Sequence, residues 1–247
     1  MRYKLICCEV FSREIYMELL ENDSTVFPVF PVFTELMSHT YPDLLRDQIQ
    51  KEIDKTGPTN FDYVLLGYGL CGNTINGIYA KAVPIVIPRA HDCCTILLGS
   101  KEAYQTHFAH RPSCRWASGG YMKGADISLR DNDLHYFHDP NLNYEELVKK
   151  YGEDNATYII ESLTPKDDNE NQRVFIQTPP YNKLNYKDKV EKIAENKGCK
   201  FEFIEGNTRL LRMLLNGIWP EEEFLVIPPG YHVEAVYDSV QVIEAKH

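Results

Sequence analysis

The chain has 247 residues, of which 43% are hydrophobic and 25% charged, and its formal net charge is −10. This composition is typical of a folded globular protein and excludes a disordered or fibrous chain. The acidic balance argues against nucleic acids and anionic membranes, because both bind clustered lysine and arginine. The start does not resemble a signal peptide, and no apolar run approaches the ~20 residues that span a bilayer. We therefore expect a cytoplasmic protein without a membrane partner.

Strands and helices alternate along the first 110 residues, which predicts a mostly parallel sheet with helices packed on it. In chain order we predict a strand at 3–10, a helix at 12–22, an edge strand at 25–32, a helix at 41–54, a strand at 61–67, a short helix after Asn73, a strand at 83–88, a helix from about 91 through 98, and a helix from 100 to 109.

The sequence of the second half of the chain predicts another series of alternating strands and helices. Residues 111–143 are rich in Gly, Pro, Asp and His and have no period, so we predict an irregular connection there. We then predict a helix at 144–163, a strand at 173–178, a helix at 187–197, a strand at 201–205, a helix at 208–216, a strand at 224–227 and a hairpin at 232–244. The fold class is therefore α/β, doubly wound, with two Rossmann-like βαβ halves. The first lobe is predicted to cover 1–110 and the second 144–247, ending in the C-terminal hairpin.

Three cysteines follow predicted strands at the edge where such sheets bind ligands. Cys8 ends the first strand, Cys71 follows the strand at 61–67, and Cys93, with His91 close by, follows the strand at 83–88. Ligands of open α/β sheets bind outside the carboxyl ends of the strands, so these side chains are expected to converge. Thiolates select zinc or iron–sulfur clusters. The sequence therefore predicts a metal site with Cys8, Cys71 and Cys93 as ligands and His91 as an optional fourth.

Two of these cysteines have a cysteine neighbour, Cys7 beside Cys8 and Cys94 beside Cys93. Adjacent side chains of a strand point to opposite faces, so one member of each pair is expected in the core. We favour Cys8 and Cys93 as the members at the edge. Geometry alone does not decide between the two members of each pair. The odd number of seven cysteines does not suit a secreted disulfide framework, and the chain contains no Cys-x-x-Cys pair.

Polar residues around the cysteines are candidates for chemistry. Glu9, Arg89 and Asp92 are candidate catalytic groups together with Cys71, although Asp92 also suits a helix cap. The turn glycines Gly69 and Gly72, with Asn73 and Arg13, are the candidate substrate-binding residues, because glycines let backbone N–H groups approach a ligand.

Other functions remain open. Cys71 followed by Asn73-Thr74 resembles the proton-transferring thiol of cofactor-independent amino-acid racemases, but the second cysteine such an enzyme needs is missing, since Cys199 lies in a helix-exit turn. A non-catalytic binding subunit is a third hypothesis. Residues 67–72 match the dinucleotide pattern without its acidic partner, so we reject NAD binding. A second candidate group lies in the irregular middle segment. Surface histidines explain it better than a metal site does, and its members are His107, His110, Cys114, His135 and His138.

Several longer motifs resemble one family. They are Gly67-Tyr-Gly-Leu-Cys-Gly-Asn73, Pro88-Arg-Ala-His-Asp-Cys93, Leu97-Leu-Gly-Ser100, Leu5-Ile-Cys-Cys-Glu9, His39 before the helix at Pro42, Lys150-Tyr-Gly-Glu153, Gly206-Asn-Thr-Arg-Leu210, Gly217-Ile-Trp219 and Phe224-Leu-Val-Ile-Pro-Pro-Gly230. Together they are similar to domain of unknown function 1638, a family of bacterial and archaeal proteins. The chain departs from the family pattern at 113–121 and at Asn207.

The resemblance supports Cys8 over Cys7 and Cys93 over Cys94, keeps Cys71 and His91, and adds His39 as a substrate-binding candidate. Such proteins often accompany corrinoid-dependent methyltransferases, which implies an enzyme or accessory factor of anaerobic one-carbon transfer. Its partner would be a small-molecule substrate or a methyltransferase or corrinoid protein, and a homo-oligomer is not excluded. Whether the cofactor is zinc or an iron–sulfur cluster stays open.

Overall fold

The computed structural model describes residues 1–21, 28–36, 38, 41–111, 114–123, 148, 172–236 and 241–247. Within them the strands are β1 (Tyr3–Cys8), β2 (Val29–Thr34), β3 (Tyr63–Gly67), β4 (Ile85–Pro88), β5 (Arg115–Ser118), β6 (Gln172–Gln177), β7 (Lys200–Glu205), β8 (Phe224–Ile227), β9 (His232–Ala235) and β10 (Ile243–Lys246). The helices are α1 (Ser12–Glu21), α2 (Pro42–Asp54), α3 (Cys93–Leu98), α4 (Lys101–Phe108), α5 (Gly119–Lys123), α6 (Tyr186–Asn196) and α7 (Arg209–Leu215). Two 3₁₀ turns cover Glu9–Phe11 and Pro179–Tyr181.

A mixed α/β architecture results, with one mostly parallel five-stranded sheet. This main sheet has the order β2-β1-β3-β4-β8, in which only the β4–β8 pair is antiparallel. A second sheet, β5-β6-β7, is parallel throughout. Strands β9 and β10 pair antiparallel, as expected for the C-terminal hairpin. Because β8 joins the main sheet, the chain returns to that sheet after forming the second one.

Alternating side chains of the main sheet enter two hydrophobic clusters. Leu5 and Leu65 belong to the cluster that also contains buried residues of α1, α3 and α7. Ile6 and Leu66 belong to the other cluster, together with residues of α2 and of the hairpin. Burial on both faces explains why β1 and β3 are nearly continuous apolar runs. None of the described helices is long and apolar enough to cross a membrane.

Three sequence predictions need correction. Residues 115–123, predicted as irregular, form β5 and α5, because β5 pairs in parallel with the distant strand β6. The short helix predicted after Asn73 is not formed, and turns follow instead. Strand β2 runs from Val29 to Thr34 rather than ending at Val32, and its register with β1 places Thr34 opposite Cys8; positions 25–27 lie outside the described residues. The helix predicted at 144–163 lies outside the described residues, apart from position 148.

The two sheets meet at the carboxyl ends of their strands. After β6, the Thr178 hydroxyl donates a hydrogen bond of 2.6 Å to Glu14 at the start of α1. After β7, the backbone N–H of Asn207 donates to the carbonyl of Leu97 in α3 at 2.9 Å. Loops that follow strands of one sheet therefore contact loops and helices that follow strands of the other.

Candidate functional site

Three partly exposed cysteines stand at this edge. Cys8 is the last residue of β1, Cys71 follows β3, and Cys93 begins α3 after β4. Burial raises the pKa of Cys71 most, followed by the charges of Asp92 and Cys8. Burial also raises the pKa of Cys93 most, followed by the charges of Cys71, Asp92 and Cys8. Because β1, β3 and β4 are neighbouring parallel strands, the three residues lie at the same edge of the main sheet, and we call them the thiol cluster.

The loops after β3 and β4 run side by side, which brings Cys71 toward Cys93. The backbone N–H of Leu70 donates to the carbonyl of Ala90 at 2.8 Å, and that of Cys71 to the carbonyl of His91 at 2.9 Å. A Cβ added to Gly69 would lie 2.7 Å from backbone atoms of Asp92. Gly69 therefore serves this close approach of two backbones.

The turn that carries Cys71 has an unusual backbone. Cys71, Gly72 and Asn73 have φ angles of 46°, 63° and 69°, in the left-handed region that non-glycine residues rarely adopt. Neighbours hold the turn in place. The Thr74 hydroxyl donates to the Cys71 carbonyl at 2.8 Å, and Arg46 donates to the carbonyls of Asn73 and Thr74 at 2.9 and 3.1 Å. Strain of this kind concentrates at functional sites.

All three thiols resist ionisation in the metal-free protein. Burial raises the pKa of Cys8 to about 11 and that of Cys71 to about 12, and it raises the pKa of Cys93 well above its ordinary value. Backbone hydrogen bonds act in the opposite direction. They come from Val10 to Cys8 and from Gly69 and Cys93 to Cys71. The thiols are therefore protonated near neutral pH, and a bound cation would be needed to stabilise them as thiolates.

The two adjacent cysteines are core residues. Cys7 and Cys94 are fully buried, whereas Cys8 and Cys93 are partly exposed. The Cys7 thiol donates to the Gly67 carbonyl at 3.5 Å, and a Cβ on Gly67 would lie only 2.3 Å from the Cys7 sulfur. Each pair is thus divided between the core and the edge. Strand alternation separates Cys7 from Cys8 in β1, whereas Cys93 and Cys94 begin the helix α3 and are separated by its packing.

Asp92 and Arg89 make structural contacts. The Asp92 carboxylate caps α3 by accepting from the Thr95 backbone N–H at 2.9 Å and from the Thr95 hydroxyl at 3.1 Å. Arg89 donates to the carbonyls of Glu221, at 2.8 Å, and of Gln241, at 3.0 Å. The contacts of Arg89 therefore join the loop after β4 to segments that flank β8 and β10. Their predicted catalytic roles stay predictions.

The remaining candidates have separate surroundings. Glu9 lies in the 3₁₀ turn after Cys8, and its charge contributes to the raised pKa of Cys8. The Arg13 guanidinium lies 5.2 Å from the centre of the Tyr181 ring. The His91 ring lies beside Tyr104, with ring centres 6.2 Å apart. His39 is outside the described residues.

Sequence reasoning missed two tyrosines at the cluster. The Tyr121 hydroxyl, on α5, lies 3.1 Å from the Cys93 sulfur. Tyr68 is buried, its pKa is raised by burial and by the charge of Cys8, and its hydroxyl lies 2.6 Å from that of Thr34. The position of Tyr68 directly after β3 could have indicated its place, whereas Tyr121 stands in a segment predicted to be irregular.

Asn207, one of the departures from the family pattern, also has a structural contact. Its side-chain amide donates to the carbonyl of Leu98 at 2.9 Å, and it occupies the space where a Cβ on Gly99 would lie. Asn207 therefore packs against the end of α3.

Among the described residues, no three His, Cys, Asp or Glu side chains are grouped so that they could hold one ion. In the second candidate group, His107 lies 4.0 Å from Glu202, and Cys114 is buried. His135 and His138 lie outside the described part of the chain. Cys199, the other cysteine considered for a racemase, precedes β7 and so lies at the amino end of the second sheet.

One family model matches the chain. It is described as "Protein of unknown function (DUF1638)" and covers residues 33–215, a range that includes Cys71 and Cys93 but begins after Cys8. Comparisons with curated proteins and with solved structures find no match. Because the matched range covers more than half of the 247 residues, the chain belongs to the DUF1638 family of proteins of unknown function.

Proposed function

We propose that the protein binds a zinc ion through Cys8, Cys71 and Cys93. The observation that carries this proposal is the position of three partly exposed thiols at the carboxyl ends of the neighbouring parallel strands β1, β3 and β4, where the Cys71 backbone N–H donates to the His91 carbonyl at 2.9 Å. Soft thiolates bind zinc strongly, and zinc binding releases the thiol protons. The ion would thus supply the positive charge that buried thiolates lack in the metal-free protein.

The number of sulfurs favours zinc over an iron–sulfur cluster. Iron–sulfur clusters are usually held by four cysteines. Three of the seven cysteines belong to the thiol cluster, whereas Cys7 and Cys94 are in the core, Cys114 is buried and Cys199 lies at the amino end of the second sheet. Catalytic zinc sites typically have three protein ligands and an open position for water or substrate. Three thiolates at a sheet edge suit this second type.

The hydrogen bonds around the sulfurs also support thiolate ligation. Backbone N–H groups of Val10, Gly69 and Cys93 favour the ionised forms of Cys8 and Cys71. Hydrogen bonds to ligand sulfurs orient them and tune the metal. The raised pKa values count against the racemase alternative, because a thiol nucleophile or base needs a lowered pKa.

Two finer features belong to this proposal. Helices associated with both hydrophobic clusters of the main sheet suggest a doubly wound, Rossmann-like arrangement, in which the edge carrying the thiol cluster is the usual ligand-binding edge. A role in corrinoid-linked methyl transfer is supported by the family resemblance alone.

A zinc ion with an open position would supply Lewis-acid chemistry suited to activating a thiol or water.

We expect protein purified anaerobically to contain about one zinc ion per chain, or to take up one on titration. Cys8→Ser, Cys71→Ser and Cys93→Ser should each weaken zinc binding by more than the ~10- to 100-fold that loss of an outer-shell partner costs. Elemental analysis and competition with a chromophoric chelator measure these changes.

Cys199→Ser is the matched control, because Cys199 is also partly exposed but lies at the other end of its sheet. It should bind zinc as the wild type does. Wild-type protein that is metal-free and takes up no zinc would refute the proposal. Visible iron–sulfur absorbance that is lost in Cys71→Ser would show that the site binds an iron–sulfur cluster and not zinc.

A further inference from the structure

Helix α5 joins the second sheet to the thiol cluster through three consecutive residues. A Cβ on Gly119 would lie 2.1 Å from the Tyr181 ring, and one on Gly120 would lie 2.0 Å from the Val10 carbonyl oxygen. The next residue is Tyr121, whose hydroxyl lies 3.1 Å from the Cys93 sulfur. The start of α5 is thus packed tightly against the segment that follows Cys8.

The Tyr121 side chain is held beside Cys93. Tyr121 is only 7% exposed, and its hydroxyl lies 3.1 Å from the Cys93 sulfur. Its ring packs edge-to-face against Trp116, with centres 5.4 Å apart, which fixes its orientation. Buried tyrosine hydroxyls usually have a hydrogen-bond partner. The Cys93 sulfur is the partner that this geometry provides.

We infer that Tyr121 is a positioning residue of the metal site, whose hydroxyl donates a hydrogen bond to the sulfur of Cys93 when that residue binds the metal. This inference rests on the proposed zinc site. It makes the site a joint product of both sheets, because the three sulfurs follow strands of the main sheet and the hydroxyl follows β5 of the second sheet.

The direction of the hydrogen bond follows from the chemistry. A metal-bound thiolate has no proton and can only accept, so the hydroxyl must donate. A hydrogen bond to a charged acceptor is stronger than one between neutral groups and withdraws electron density from the sulfur. Its loss should therefore weaken metal binding and make the sulfur a stronger electron donor to the ion that remains bound.

Tyr121→Phe tests the inference with cobalt(II), which replaces zinc and absorbs light through sulfur-to-metal charge transfer. We expect the variant to bind cobalt about 10- to 100-fold more weakly than the wild type. Its charge-transfer band should move to longer wavelength, because the sulfur lone pair rises in energy without the hydrogen bond. A merely structural role of Tyr121 would not move this band.

Tyr181→Phe is the matched control. Tyr181 is buried as well and packs against Gly119, but its hydroxyl has no partner among the described residues. It should leave cobalt affinity and spectrum unchanged, and thermal unfolding of the metal-free variants verifies that both are folded.

The outcomes separate the two proposals. If the wild type binds cobalt and Tyr121→Phe gives the same affinity and band position, the inference is overturned while the proposed function stands. If the wild type binds no metal at all, the proposed function fails. A band shift restricted to Tyr121→Phe supports both.

Discussion

Glu14→Gln is expected to stabilise the protein above pH 7, by an amount on the order of 3 kcal/mol. Glu14 is completely buried at the start of α1, and burial raises its pKa from 4.5 to about 7. One carboxyl oxygen accepts the bond from Thr178, while the other has no hydrogen-bond partner among the described residues. Glutamine keeps an acceptor for Thr178 and removes the cost of burying a charge.

The pH dependence has a definite sign. Below pH 4.5 Glu14 is protonated in both the folded and the unfolded chain, and its contribution is constant. Between pH 4.5 and about 7 the folded chain holds the proton more tightly, so the free energy of unfolding falls as the pH rises. Urea unfolding at several pH values should therefore show the advantage of Glu14→Gln growing over this window and levelling off above it.

Glu18 provides a control of opposite sign on the same helix. It is also fully buried, but both of its oxygens accept from Arg212, at 2.9 and 3.1 Å. Glu18→Gln should destabilise the protein by about 1.5–3 kcal/mol, because hydrogen bonds to a charged group are lost. A Glu14→Gln variant less stable than the wild type across the whole pH range would contradict our description of this carboxyl group.

Gly120→Ala is expected to destabilise the protein by about 1–3 kcal/mol or more. The added methyl group would lie 2.0 Å from the Val10 carbonyl oxygen, and a backbone atom cannot yield as the end of a side chain can. Helix α5 would have to move, and Tyr121 would move with it. In a chain of this size each kcal/mol lowers the unfolding temperature by about 2–4 °C. Calorimetry of the metal-free protein measures the change.

Gly57→Ala is the control for the same substitution. The nearest atom to its added methyl group would be the Thr59 hydroxyl oxygen, at 4.0 Å. We expect a neutral effect or a stabilisation of about 0.4–1 kcal/mol, since alanine restricts the unfolded chain. Equal stability of the two alanine variants would mean that α5 does not pack tightly against Val10.

The positions of Cys71 and Cys93 could be predicted because their surroundings are local. The strands before them are continuous apolar runs, and the helix after Cys93 begins with the side-chain cap of Asp92. Such patterns act over a few residues, so sequence alone indicates where the strands end. The parallel order of the main sheet then places both cysteines on one edge.

The contribution of α5 could not be predicted in this way. Strand β5 has only four residues, and its pairing partner β6 is far along the chain. Gly119 and Gly120 resemble a loop in sequence, but their function is to admit the Tyr181 ring and the Val10 carbonyl. The buried state of Glu14 likewise depends on Thr178 in a distant segment. Contacts made only in the folded chain decide these features.

The strand order of the main sheet has a practical consequence for protein production. The matched family range, 33–215, starts inside β2 and ends before β8, and it omits β1, which lies between β2 and β3. A fragment trimmed to that range would keep β3 and β4 with their backbone edges uncovered. Exposed apolar edges of this kind promote aggregation. Soluble expression should therefore require residues beyond both limits of the matched range.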